Sequence, residues 1–68
     1  MKTDIYDSDP FTGRKGKLLV SIDTDYRFEK NDEFVIESGG SRIPMRVTFV
    51  QVRIRDGELL RDVVALRI

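Results

Sequence analysis

The stretch Glu33–Ile68, EFVIESGGSRIPMRVTFVQVRIRDGELLRDVVALRI, decides the fold. Gly39–Gly40 and Asp56–Gly57 each lie between apolar runs, and each is a two-residue hairpin signal, because a type I′ turn needs positive φ at both central positions. Register follows. Setting Ser38 opposite Ser41 brings Glu37 to Arg42, Ile36 to Ile43, Phe34 to Met45 and Glu33 to Arg46, so apolar meets apolar on one face and acid meets arginine on the other. Pro44, without an N–H, fits only an edge-like or non-bonded place in that ladder. Setting Arg55 opposite Glu58 predicts Phe49 beside Val64, Val47 beside Leu66 and Met45 beside Ile68, which extends the core face of Phe34 and Ile36 into the last strand. Nearer the turn the apolar positions change sides, with Val50–Val63 and Ile54–Leu59 on the opposite face and Gln51–Asp62 on the first. A switch in both partners at one level predicts a bend or bulge that wraps the long hairpin round a corner. The alternative is that the second apolar face is a contact between molecules.

Upstream of this meander, Leu18, Val20 and Ile22 alternate with polar residues and predict a half-buried strand over Lys17–Asp23. Asp23–Asp32 reads as a connection, in which Phe28 plugs one end of the core and Asn31–Asp32 supplies a left-handed backbone position. Residues 1–16 show no sustained periodicity and read as an irregular N-terminal arm, with at most a short edge strand at Thr3–Tyr6. No helical stripe is present. The expected fold is a small all-β barrel or roll of four to five strands over residues 17–68, ending in a three-strand antiparallel meander.

A chain of 68 residues, 40% apolar and 35% charged, forms one domain with a thin core. It contains no histidine and no cysteine, which removes imidazole bases, thiol nucleophiles, disulfides and nearly every zinc site. The expectation is a non-enzymatic, cytoplasmic protein with no cofactor, no metal, no signal peptide and no membrane span. Asp4, Asp7 and Asp9, and the pair Asp23 and Asp25, match no calcium-loop pattern and read as solvated turn residues.

Net charge is zero, yet the charges are unevenly placed: residues 1–37 carry nine acids against six bases, and residues 38–68 carry six arginines against three acids. In the register above, Arg46 and Arg67 are cross-strand neighbours on the non-core face, with Arg42 two pairs further along. That row is either a ladder of ion pairs with Glu33 and Glu37, or a strip that meets phosphate oxygens. Arg14, Lys15 and Lys17, with Gly13 and Gly16, form a basic loop whose backbone N–H groups suit a phosphate, although neither its glycine spacing nor the strand after it is that of a P-loop. Tyr6, Phe11 and Tyr26 lie in or beside loops, where rings can stack on unpaired bases.

The run Tyr26–Ile36, then Val47, Thr48, Phe49 and Val50, and the closing Val63–Ile68 resemble the C-terminal part of ASCH and PUA-like barrels; the same pattern is met in SH3-like barrels. In the former families an aromatic residue, a short turn and a Gly-Asp pair introduce a strand, and here Asn31 stands in place of that glycine. The resemblance implies a β-barrel associated with RNA binding. It covers residues 26–68 and lacks the helical N-terminal portion of those domains. Two functions fit these residues. The first is binding of single-stranded RNA through Arg42, Arg46 and Arg67, helped by Arg14, Lys15 and Lys17. The second is a protein-binding adaptor or inhibitor, of the compact kind encoded by phages and mobile elements. It would use Val50, Val52, Ile54, Leu59 and Val63 or an exposed edge strand on a host protein or in a homodimer.

Overall fold

Five strands run through the chain: β1 (Lys2–Ser8), β2 (Lys15–Asp23), β3 (Glu33–Ser38), β4 (Ser41–Arg55) and β5 (Glu58–Arg67). The computed structural model describes all 68 residues, with no helix, and the strands form one mixed sheet in the order β2-β1-β5-β4-β3. Residues from all five strands converge on one face, where Ile5, Val47 and Val63 are buried and Val20, Phe34 and Val50 pack against them. A flat sheet cannot bring its two edge strands to a shared cluster, so the sheet curls into a half-barrel. The connection between β2 and β3 crosses the open side. Phe28 in that connection joins the core and meets Phe34 edge-on at a centroid distance of 5.6 Å, acting as the expected plug.

Both glycine-containing turns behave as read. Gly39 and Gly40 have φ of 54° and 85°, and Asp56 and Gly57 have 51° and 78°, the left-handed pair that a type I′ turn requires. Every β3–β4 pair named above is present, from Ser38–Ser41 to Glu33–Arg46. A two-residue turn makes its flanking pair hydrogen-bonded, and bonding then alternates, so Val35–Pro44 falls at a non-bonded pair where the missing N–H costs nothing. Asn31 has φ 77°, and its N–H donates to the Val47 carbonyl at 2.8 Å, while Val47 N–H donates to the Asp32 carbonyl at 2.8 Å.

The β4–β5 ladder keeps the expected register from Arg55–Glu58 to Phe49–Val64 and then shifts by one residue. Thr48 is the extra residue of a bulge, pinned by its Oγ1 donating to the Val64 carbonyl at 3.1 Å. The bulge corrects three expected pairs: Val47 faces Ala65 instead of Leu66, Met45 faces Arg67 instead of Ile68, and Arg46 faces Leu66 instead of Arg67. It also reassigns the faces. Met45, Val47, Val50 and Val63 share the inner, core side, while Phe49 and Val64 lie on the outer side beside Tyr6.

Residues 1–16 are not an irregular arm. β1 is an interior strand, antiparallel to β2 and parallel to β5, and it contributes Ile5 to the core at 3% exposure. Thr3 is fully buried because its hydroxyl accepts from the guanidinium of Arg61, Nη2 at 2.9 Å and Nε at 3.2 Å. Arg61 also donates to the Thr24 carbonyl at 3.4 Å and stacks over the Phe28 ring at 5.7 Å, so one buried cation fastens the crossing connection to the sheet.

Candidate functional site

The arginines foreseen as a row are divided between the two faces. Alternation along β4 keeps Arg42 and Arg46 on the outer side, where Arg46 Nη2 meets Glu33 at 3.1 Å and Arg42 Nε meets Glu37 at 3.7 Å. Arg67, opposite Met45, belongs to the inner side at the end of β5. The like-charged neighbours Arg46 and Arg67 therefore do not form, and the ion-pair ladder accounts for Arg42 and Arg46. Arg67, Arg14 and Lys17 have no carboxylate within ion-pair distance.

The basic loop before β2 is built for packing. Lys15 is the first residue of β2, and its Nζ reaches Asp62 at 3.1 Å while sitting 4.7 Å above the Tyr6 ring. At Gly16 a Cβ would come within 2.9 Å of the Asp7 carbonyl oxygen, so the absent side chain makes room for β1 and not for a phosphate. Gly16→Ala is expected to cost about 1–3 kcal/mol, the usual range for overpacking. Thermal melting of that variant beside Lys17→Ala, at an exposed position of the same strand, checks it. Equal losses in the two would contradict the close approach.

Residue types alone did not reveal the outer-face cluster around Asp62. Asp62 is 1% exposed yet carries a carboxylate in the central strand. Arg53 grips it with both arms of the guanidinium, Nε to Oδ2 at 2.6 Å and Nη2 to Oδ1 at 2.9 Å, and Lys15 adds its ammonium. Asp4 joins at 3.6 Å from Arg53 Nη2 and accepts from the Ser21 hydroxyl at 2.7 Å. Burial alone would raise the Asp62 pKa, but the hydrogen bonds from Arg53 and Lys15 outweigh it and hold the carboxyl below its ordinary value. Hydrogen bonding to Asp62 in turn raises Arg53. The sequence signal was the register itself, which sets Arg53 one pair along from Gln51–Asp62 on the same face. Beside this cluster lies a charged hollow of ≈ 410 Å³ lined by Lys2, Asp4, Ser21, Asp23, Arg55 and Leu60 among others. Lys2, Asp4 and Asp23 in its wall are engaged in the protein's own ion pairs, and Arg55 is not.

The apolar set also divides. Val63 is fully buried and Val50 packs on the core, so the corner reading holds for these two. Val52, Ile54 and Leu59 remain 55%, 74% and 45% exposed, on the inner-side positions of the β4–β5 turn end. The backbone beside them is also open. β3 pairs with β4 only over Ser41–Arg46, and the connection covers Val47, so no strand lies against Phe49–Arg55 on the side away from β5. Comparison with known families, curated proteins and solved structures finds no match for the chain.

Proposed function

We propose that the protein is a non-enzymatic interaction module that docks another protein through the apolar turn end of the β4–β5 hairpin. The observation that carries this reading is the exposure of Ile54, 74%, between Val52 and Leu59 on a strand with an open edge. Single exposed apolar residues are ordinary on protein surfaces, but three neighbours beside unpaired backbone form a surface suited to a partner. A photo-crosslinking residue placed at Ile54 in the native cells is expected to give a discrete protein adduct that Val52→Asp abolishes without lowering the melting temperature. The same probe at Glu37 gives none. Absence of any Ile54 adduct, or one indifferent to Val52→Asp, removes the reading.

A second reading, single-stranded RNA binding, is supported by Arg14, Lys17 and Arg67, which lack carboxylate partners, and by the ASCH/PUA-like and SH3-like resemblance of residues 26–68. It requires affinity for random RNA that falls with log salt and weakens in Arg67→Ala. No binding at low salt ends it.

A further inference from the structure

The β4 strand shows, over its first half, what kind of partner its second half lacks. It carries four arginines and no acid, while β3 carries Glu33 and Glu37 and no base. Where the two pair, each β3 glutamate lies by a β4 arginine on the outer face, and Phe34 and Ile36 lie by Met45 and Ile43 on the inner face. Past the bulge the same composition repeats with nothing alongside: Arg53 and Arg55 on the outer face, Val50, Val52 and Ile54 on the inner.

The backbone is in phase with this pattern. The type I′ turn makes Arg55–Glu58 the hydrogen-bonded pair, so alternation bonds Arg53 and Gln51 to β5 and turns the N–H and C=O groups of Val50, Val52 and Ile54 toward the open edge. The residues whose backbone is unpaired are thus those whose apolar side chains are presented together. Such an edge binds by strand addition, with main-chain hydrogen bonds supplying affinity and alternate side chains supplying selection.

The charges choose the occupant. Asp62 already engages Arg53, but Arg55 has no carboxylate in range, and its cross-strand neighbour Glu58 turns to Lys2 at 3.8 Å. Self-pairing of two β4 edges would gather the arginines of both copies on one face with no added acid, which is unfavourable. We infer that the open edge of β4 takes up an extended partner segment, apolar at alternate positions and bearing a carboxylate on the other face opposite Arg55. This deepens the docking reading above and rests on it.

The test uses the full chain and a short blocked peptide alternating valine and glutamate, with a valine–lysine peptide as counterpart. Addition of the glutamate peptide is expected to slow hydrogen exchange at the amides of Val50, Val52 and Ile54, and not along the β2 edge. Arg55→Glu weakens the glutamate peptide roughly tenfold, as loss of one charge-assisted contact does, and improves the lysine peptide. Ile54→Thr, on an exposed side chain, weakens both peptides while leaving the fold intact. Equal binding of both peptides by the natural chain, or unchanged exchange at the three amides, overturns strand addition of an acidic segment. If the Ile54 crosslink persists in that case, docking stands by another geometry. Protection of the same amides on raising protein concentration alone would assign the edge to a second copy and likewise overturn the proposal.

Discussion

Insertion of one alanine after Thr48 is expected to abolish cooperative unfolding, whereas Thr48→Ala folds and loses about 1 kcal/mol, the contribution of one side-chain hydrogen bond. The bulge residue is what allows two incompatible alternations to coexist in one strand. One extra residue absorbs one step of phase; with a second, a one-residue bulge leaves one half of β4 rotated by one position, and a one-residue slip exchanges the faces of every side chain in that half. If the β5 turn keeps its register, Met45 and Val47 leave the core and Arg46 enters it. If the β3 hairpin keeps its register, Val50 leaves and Arg53 turns inward, abandoning Asp62. Either outcome removes buried apolar residues from a chain that has few of them, and either buries a guanidinium without its partner. Circular dichroism melting and amide dispersion in a proton–nitrogen spectrum give the answer. An insertion variant with a sigmoidal melt that keeps both the Val50–Val63 and the Val47–Ala65 pairs would show that the bulge does not set the register.

Asp62→Ala should be the most damaging single substitution in the sheet, costing about 3 kcal/mol, since loss of the buried carboxylate breaks the bidentate pair and leaves Arg53 and Lys15 without their partner. A domain of this length has a total stability on the order of 3–10 kcal/mol. At roughly 4–8 °C per kcal/mol for small domains, the melting temperature falls on the order of 15 °C. The effect stays near the lower end of buried-pair losses because the stranded cations, with side chains 28% and 38% exposed, can turn to water. The pH dependence has a definite sign. The Asp62 carboxyl is held below its ordinary 3.8 in the folded chain, so its contribution is complete above that value and is lost as pH falls through the folded one. Urea midpoints followed from neutral pH into the acid range should therefore drop less steeply in Asp62→Asn than in the natural chain. Parallel acid limbs would show that another carboxylate governs acid unfolding.

The meander was legible because two glycine-containing turns fix register locally and the charges of β3 and β4 check it independently. Legibility ended at Thr48. The change of apolar phase announced a bulge, but placing it required knowing which of Phe49 and Val50 faced the core, and both are apolar. The row of arginines failed for the same reason, since Arg67 lies beyond the shift. β1 left almost no local trace. Its inward residues are Thr3 and Ile5, the threonine being buried by a hydrogen bond to Arg61 instead of by hydrophobicity, and its partner β5 is distant in sequence. Lys15 and Gly16 looked like a solvated loop because the carboxylate and the carbonyl that explain them belong to β5 and β1. The open edge of β4 was implicit in strand lengths, fifteen residues against the six of β3, but its phase depends on the turn type that φ reveals.

The side-by-side placement of β1 and β5 has a kinetic side. The Thr3–Arg61 contact spans 58 residues, so the sheet cannot be completed by growth of neighbouring hairpins. Hairpins form in about 1–10 μs, but closing so long a loop pays its entropy before any reward arrives, so β1 is expected to dock last. A chain in which β1 has not yet docked would leave the edge of β5 unpaired at Val63, Val64 and Ala65, and encounters between two such chains would compete with the intramolecular step. Refolding yield should then be lost with rising protein concentration well before the native state itself associates.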